Sequence, residues 1–172
     1  MDRKTVQQQI AAFGEHYRYD VGYLQDFLQI APECYEAFLG FQSLSSYRGK
    51  LPLDIYWVSR LASMQIADCG ECLQLSVRMA LEAGVDKTVV KSCIEGGSRL
   101  PENLKDIFDF ASAVASYRVI DPQLDARIDQ LLDKAQRIEL GICVATASVY
   151  PSIKRALGIA QRCSLVEIEY AA

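Results

Sequence analysis

The sequence predicts an all-α fold. Apolar residues recur close to every 3.6 positions along almost the whole chain, and prolines and glycines fall between these runs. Sustained period-two alternation is absent, apart from a short extension over 165–170. At 172 residues, 51% of them apolar, the chain is expected to form a single helical domain over 1–172 with a substantial core.

The elements follow in order. Val6, Ile10 and Phe13 mark a first helix closed near Gly14, and Val21, Leu24, Phe27 and Leu28 a second that stops before Pro32. Pro32 suits the first position of a third helix, with Tyr35, Phe38, Leu39 and Gln42 on one face. Residues 48–52, Arg-Gly-Lys-Leu-Pro, break the pattern. A helix over 53–67 carries a broad apolar face of Ile55, Val58, Leu61, Ala62 and Ile66. Another spans 69–83, with Gly84 placed as its C-terminal cap. Asp86 can cap a helix through Ile94 that Gly96-Gly97 ends. Pro101-Glu102 opens a helix with Leu104, Ile107, Phe108, Ala111 and Val114 inside; Asp121-Pro122 opens one with Leu124, Ile128 and Leu131. The last long apolar helix is expected over 138–149, ended or kinked by Pro151, with a shorter helical run over 153–159.

Bulk properties exclude several classes. A net charge of −4 argues against electrostatic nucleic-acid binding. No stretch holds the roughly 18 uncharged apolar residues that a membrane span needs, and the first residues, Met-Asp-Arg-Lys-Thr-Val, lack the apolar region of a secretory signal. A cytoplasmic protein with no nucleic-acid or membrane partner is the expectation.

That setting shapes the reading of the six cysteines. Cys34, Cys93, Cys143 and Cys163 lie in apolar stretches and are expected to be buried, reduced thiols acting as small hydrophobes. Cys69 and Cys72 differ, because Asp68-Cys-Gly-Glu-Cys72 is a Cys-x-x-Cys motif at a helix start. Thiols three residues apart share a helix face and can approach closely enough for a disulfide. Asp68 and Glu71 have the spacing of a capping box, which would put Cys69 in the first helical position and Cys72 a turn further in. The helix N-terminus would stabilise a thiolate there, while the two carboxylates oppose it. Two small residues packing at a helix start is the plain alternative. Structural zinc is disfavoured, since a closed site needs four ligands and there is no second paired motif. His16, the sole histidine, is remote in sequence and reads as part of a helix end or an interface rather than a ligand set. No metal or cofactor is expected.

The 53–67 helix leading into Cys69-Gly-Glu-Cys72, then the ending Met79-Ala-Leu-Glu-Ala-Gly84-Val-Asp86 and the helix over 104–116, resemble the alkylhydroperoxidase D-like (AhpD-like), or carboxymuconolactone decarboxylase, family. The resemblance covers about residues 39–118. It continues more weakly over 121–160 into Tyr150-Pro-Ser-Ile-Lys-Arg-Ala-Leu-Gly158. It implies an AhpD-like all-helical subunit in a homo-oligomer. It also implies a redox pair in which Cys72 attacks peroxide and becomes a sulfenic acid, Cys69 condenses with it, and an external dithiol restores both.

The proton relay of the family's peroxidases is missing. Their histidine, four residues after the second cysteine, is Ser76 here, and their glutamate, about twelve residues before the first, is Trp57. Imidazole accepts a thiol proton near neutrality, whereas a hydroxyl or an indole does not. Glu71 is the nearest substitute acceptor; Asp54, Arg60 and Arg78 read as solvated surface charges. General-base catalysis contributes typically about 10²–10⁴-fold, so efficient peroxide reduction suffers more than thiol–disulfide exchange, which needs no histidine. Cys69 and Cys72 are therefore the expected catalytic pair of a thiol-dependent oxidoreductase acting on a peroxide or disulfide, with Ser76, Glu71 and Trp57 in support. The alternative is a non-catalytic oligomeric scaffold of the same family. Lactone decarboxylation, the family's other named activity, finds no support in the cysteine pair.

Overall fold

A run of ten buried residues, Ile55 through Met64, fills most of the helix Leu53–Ile66. A helix buried on all sides must be surrounded, and this one is the hub of the larger part of the molecule. The structure is a computed structural model that describes residues 2–170. It contains helices α1 (Arg3–Tyr17), α2 (Gly22–Ile30), α3 (Pro32–Ser45), α4 (Leu53–Ile66), α5 (Gly70–Glu82), α6 (Lys87–Ile94), α7 (Glu102–Ala115), α8 (Pro122–Leu131), α9 (Lys134–Ala147) and α10 (Val149–Ala156), with a 3₁₀ turn at Cys163–Leu165. No strand occurs among the described residues, so the all-α expectation holds.

The chain divides into two compact units, one ending at Ser46 and the other beginning at Tyr47. In the first, α1 packs on α2 and α2 on α3, with Tyr23, Leu24, Leu28 and Tyr35 buried. The aromatic rings of Phe27, Tyr35 and Phe38 meet at centroid distances of 5.4–6.5 Å. In the second, α4 packs against α5, α6, α7 and α9, and α7 against α8. Val58, Val77, Val90, Ile107, Ile128 and Leu140 are fully enclosed there, each worth about 1.5–3 kcal/mol relative to exposure. The serines of α4 are accommodated by back-bonding: Ser59 donates to the Ile55 carbonyl and Ser63 to that of Ser59.

The sequence signals for caps and breaks mostly correspond to real ends. Pro32 and Pro122 occupy first-turn positions, and the Asp86 and Asp121 carboxylates accept the amides of Thr88 and Gln123. Gly84 (φ 92°) and Gly96 (φ 89°) take the left-handed conformation that follows a helix.

Elsewhere the sequence signals and the structure differ. Helix α1 runs through Gly14 and closes at Arg18, which adopts φ 47° itself. Helix α9 starts at Lys134, upstream of the expected 138, because Asp133 and Gln136 form a reciprocal capping box. Pro151 does not end a helix: it lies in the first turn of α10, where its missing amide costs nothing. Residues 165–170 do not form a strand, although exposure alternates along them, with Val166, Ile168 and Tyr170 half-buried and Glu167 and Glu169 exposed.

Candidate functional site

Cys69 and Cys72 are joined as a disulfide at the start of α5, with their Cα atoms 5.3 Å apart. Cys69 is the cap residue, extended at φ −122°, ψ 96°, so helical geometry begins at Gly70. The expected cap at Asp68 is therefore displaced by one residue. The cause is Asp68's own backbone, at φ 50°, which turns its carboxylate away from α5. Asp68 Oδ1 instead accepts the amide of Cys163 at 2.9 Å. Cys72 is then the third residue of α5, inside the first turn, where the exposed amide ends favour a negative charge.

The second half of the expected box is also redirected. Glu71 does not reach back to the cap; its carboxylate is ion-paired with Lys154 of α10. Lys154 is almost completely enclosed, and Glu71 lies at the edge of solvent. Next to them, Arg155 donates to the Ala67 carbonyl at 2.6 Å, so α10 grips the turn that leads into the motif.

The segment after α10 closes over the cysteines as a strap. Gly70 N–H donates to the Gln161 carbonyl at 2.9 Å. A Cβ on Gly70 would sit 2.4 Å from Val166 Cγ2 and 3.0 Å from the Arg162 carbonyl oxygen, so only glycine admits the strap at this distance. Further along, the Gln74 side-chain amide pairs with the Glu169 backbone, accepting its N–H at 2.7 Å and donating to its carbonyl at 2.9 Å. A single glutamine thus supplies the two hydrogen bonds a neighbouring strand would give. Arg78 binds the Glu169 carboxylate at 2.8 Å, and Lys91 lies 5.3 Å above the Tyr170 ring. Beneath this cover Cys69 is 0% exposed and Cys72 3%.

The other candidate residues are placed less directly. Ser76 is buried on α5, and its hydroxyl donates to the Cys72 carbonyl at 2.9 Å, so it bonds to the backbone of its own helix. Trp57 is in the α4 core, edge-on to Tyr56 at 5.2 Å. Asp54 is exposed, as expected. Arg60 is not: it is buried on α4, where it interacts with Tyr56 and the Cys143 thiol. Arg78 is taken up by the strap. His16 ends α1, as its sequence context indicated.

The remaining cysteines are not uniformly buried. Cys93 and Cys143 are, and burial pushes both thiols up to about 12. Cys34 is exposed, contrary to the expectation. Cys163 is half-buried and contributes to the site itself, its thiol facing both the Asp68 carboxylate and the Cys69 amide. Burial and the Asp68 charge raise it to about 11 against the opposing pull of the Cys69 N–H. Sequence reading passed over Cys163 because 95 residues separate it from Asp68. The available signal was the glycine inside the motif, which implies a close backbone neighbour.

Among the described residues no three His, Cys, Asp or Glu side chains converge as a metal site. A cleft of about 440 Å³, lined by Gln65, Phe108, Ser112, Arg118 and Leu124 among others, does not include the cysteines. Among the described residues no helix is long and apolar enough to cross a membrane. Comparison with models of protein families, with curated proteins and with solved structures finds no match for this chain.

Proposed function

We propose that the chain is a thiol–disulfide oxidoreductase whose working couple is Cys69–Cys72, built on an AhpD-like subunit with an altered proton relay. The observation that carries this reading is the disulfide in the first turn of α5, where reduction leaves Cys72 a thiolate favoured by the helix N-terminus. Ser76 and Trp57 are engaged elsewhere and supply no proton acceptor. This favours exchange with a disulfide or dithiol over rapid peroxide reduction. Peroxide remains a slow substrate in this reading, and an external dithiol is the reductant. The setting is cytoplasmic, where a disulfide of this kind is transient rather than structural.

The test is to titrate the full chain through defined glutathione redox buffers, quench with acid, unfold, and count the thiols that react. Two thiols should appear together as Cys69–Cys72 is reduced, and Cys72→Ser should remove the transition along with any peroxide consumption. A chain whose reactive thiols do not change across the series has no such couple.

The second reading is a non-catalytic scaffold that assembles as a homo-oligomer. It is favoured by Tyr117 and Val119, which stand 96% and 97% exposed after α7. Sedimentation of wild type and of a Tyr117→Ser, Val119→Ser double variant tests it: assembly lost in the variant supports that face, and a wild-type monomer rejects the reading.

A further inference from the structure

The two sulfurs of the couple are enclosed by the strap, so an external thiolate cannot reach either while the strap is in place. Cys163 is the one cysteine of the strap, and it is partly open to solvent. It is also fixed against the couple from two directions. Its amide is held by Asp68 Oδ1 at 2.9 Å, and two residues earlier the Gln161 carbonyl is held by Gly70 N–H at 2.9 Å. These bonds bracket the Cys163 side chain between Asp68 and Gly70, against Cys69 itself. Cys163 packs on the same buried cluster that contains Cys69 and Cys72.

We propose that Cys163 is a third redox thiol, which exchanges with the Cys69–Cys72 disulfide and carries it to the surface of the strap. The inference rests on the Cys69–Cys72 couple being redox-active. In the first step the Cys163 thiol releases its proton to solvent and the thiolate attacks Cys69 Sγ. The Cys163–Cys69 bond forms, the Cys69–Cys72 bond breaks, and Cys72 leaves as a thiolate that takes up a proton. One disulfide replaces another, with no net oxidation. An external dithiol then attacks the Cys163 sulfur and expels Cys69 as a thiol. Its second thiol displaces Cys163 from the resulting mixed disulfide. The sum is oxidation of one external dithiol and reduction of Cys69 and Cys72, with Cys163 regenerated. Burial and the Asp68 carboxylate disfavour the Cys163 thiolate, and the Cys69 N–H that faces its sulfur offsets part of that cost, so the exchange relies on the thiol being held against Cys69 rather than on a ready thiolate.

The sequence makes the exchange directly readable, since trypsin releases Cys69 and Cys72 together in peptide 61–78 and Cys163 in the peptide beginning at 163. The full-length protein is equilibrated in glutathione redox buffers, quenched with acid, alkylated and digested. Around the midpoint, wild type should give the 61–78 peptide linked to the 163 peptide beside the internally bridged 61–78 peptide. In Cys72→Ser the linked pair should become the main oxidised product. In a separate measurement, Cys163→Ser should slow reduction of Cys69–Cys72 by dithiothreitol about tenfold or more. Absence of the linked pair from both wild type and Cys72→Ser, or an unchanged reduction rate in Cys163→Ser, overturns the proposal. The failure of the underlying couple looks different: wild type then never yields an internally bridged 61–78 peptide under any buffer.

Discussion

Lys154, with only 1% of its side chain exposed, is ion-paired with Glu71, the residue between Gly70 and Cys72, whose side chain is 28% exposed. The pair ties α10 to the first turn of α5, the turn that carries the disulfide. Its two ends are not equivalent. Removing the carboxylate takes a counter-charge from an ammonium that stays enclosed, whereas replacing the lysine by methionine fills the same space with an apolar chain. Glu71→Gln should therefore cost about 1–2 kcal/mol of stability, below the usual cost for a fully buried pair because Glu71 meets solvent. Lys154→Met should cost less. Urea unfolding of both variants decides it, and a Lys154→Met protein less stable than Glu71→Gln contradicts the assignment of the buried charge.

Gly70 offers a way to lift the strap without touching a sulfur. Alanine is the better helix former and would strengthen the first turn of α5 in isolation. Its methyl group, however, would meet Val166 and the Arg162 carbonyl at distances side chains do not tolerate. Overpacking of this kind costs about 1–3 kcal/mol, here relieved by moving the strap away. Gly70→Ala should expose the disulfide and make its direct reduction by dithiothreitol several-fold faster, with earlier proteolytic cleavage within 159–170. Reduction at the wild-type rate would show that the strap does not guard the couple.

The helices were legible in the sequence because their cause is local: apolar spacing, prolines at Pro32 and Pro122, carboxylate caps at Asp86 and Asp121, and glycines that accept positive φ. Three of the misread positions turn on a residue acting against its type. Arg18 and Asp68 take the left-handed conformation that glycine usually supplies, and Pro151 enters a helix where it was expected to end one. At the candidate site the pair Cys69–Cys72 was legible, since the motif is contiguous. The strap was not, because its hydrogen bonds join residues about a hundred positions apart and Gln74, which anchors Glu169, has no motif to advertise it.

Glu139 holds the loop before α4. Its carboxylate accepts the amides of Lys50 at 2.9 Å and of Gly49 and Leu51 at 3.0 Å. These hydrogen bonds, that of Lys50 foremost, keep the carboxyl below its ordinary value of 4.5. A group harder to protonate when folded favours the folded state above its unfolded value, and that contribution disappears as pH falls through the lower folded one. Glu139→Gln should therefore be less stable than wild type at pH 7, and the gap should narrow steadily below about pH 4.5. Denaturant midpoints at pH 7, 5 and 3 give the comparison, and a constant gap would remove the carboxylate from the acid response.

The four free thiols provide an ordered readout of burial. In the disulfide form, Cys34 should react with iodoacetamide within minutes at neutral pH, because it is exposed. Cys163 should react slowly at pH 7 and about tenfold faster for each added pH unit until its thiol titrates near 11, since only the thiolate is nucleophilic. Cys93 and Cys143, pushed up to about 12 in the core, should stay unlabelled until the chain unfolds. The same shifts set the alkaline limit of the fold. Above the ordinary thiol value of 9.0 the unfolded chain loses protons that the folded core retains, so each of these groups withdraws stability as pH rises towards 12. Peptide mapping across pH 6 to 10 tests the order. Native labelling of Cys143 would mean that α9 opens to solvent, and a Cys163 rate that levels off near the ordinary thiol value of 9.0 instead of still rising at pH 10 would mean that its thiol is not held between Asp68 and Cys69.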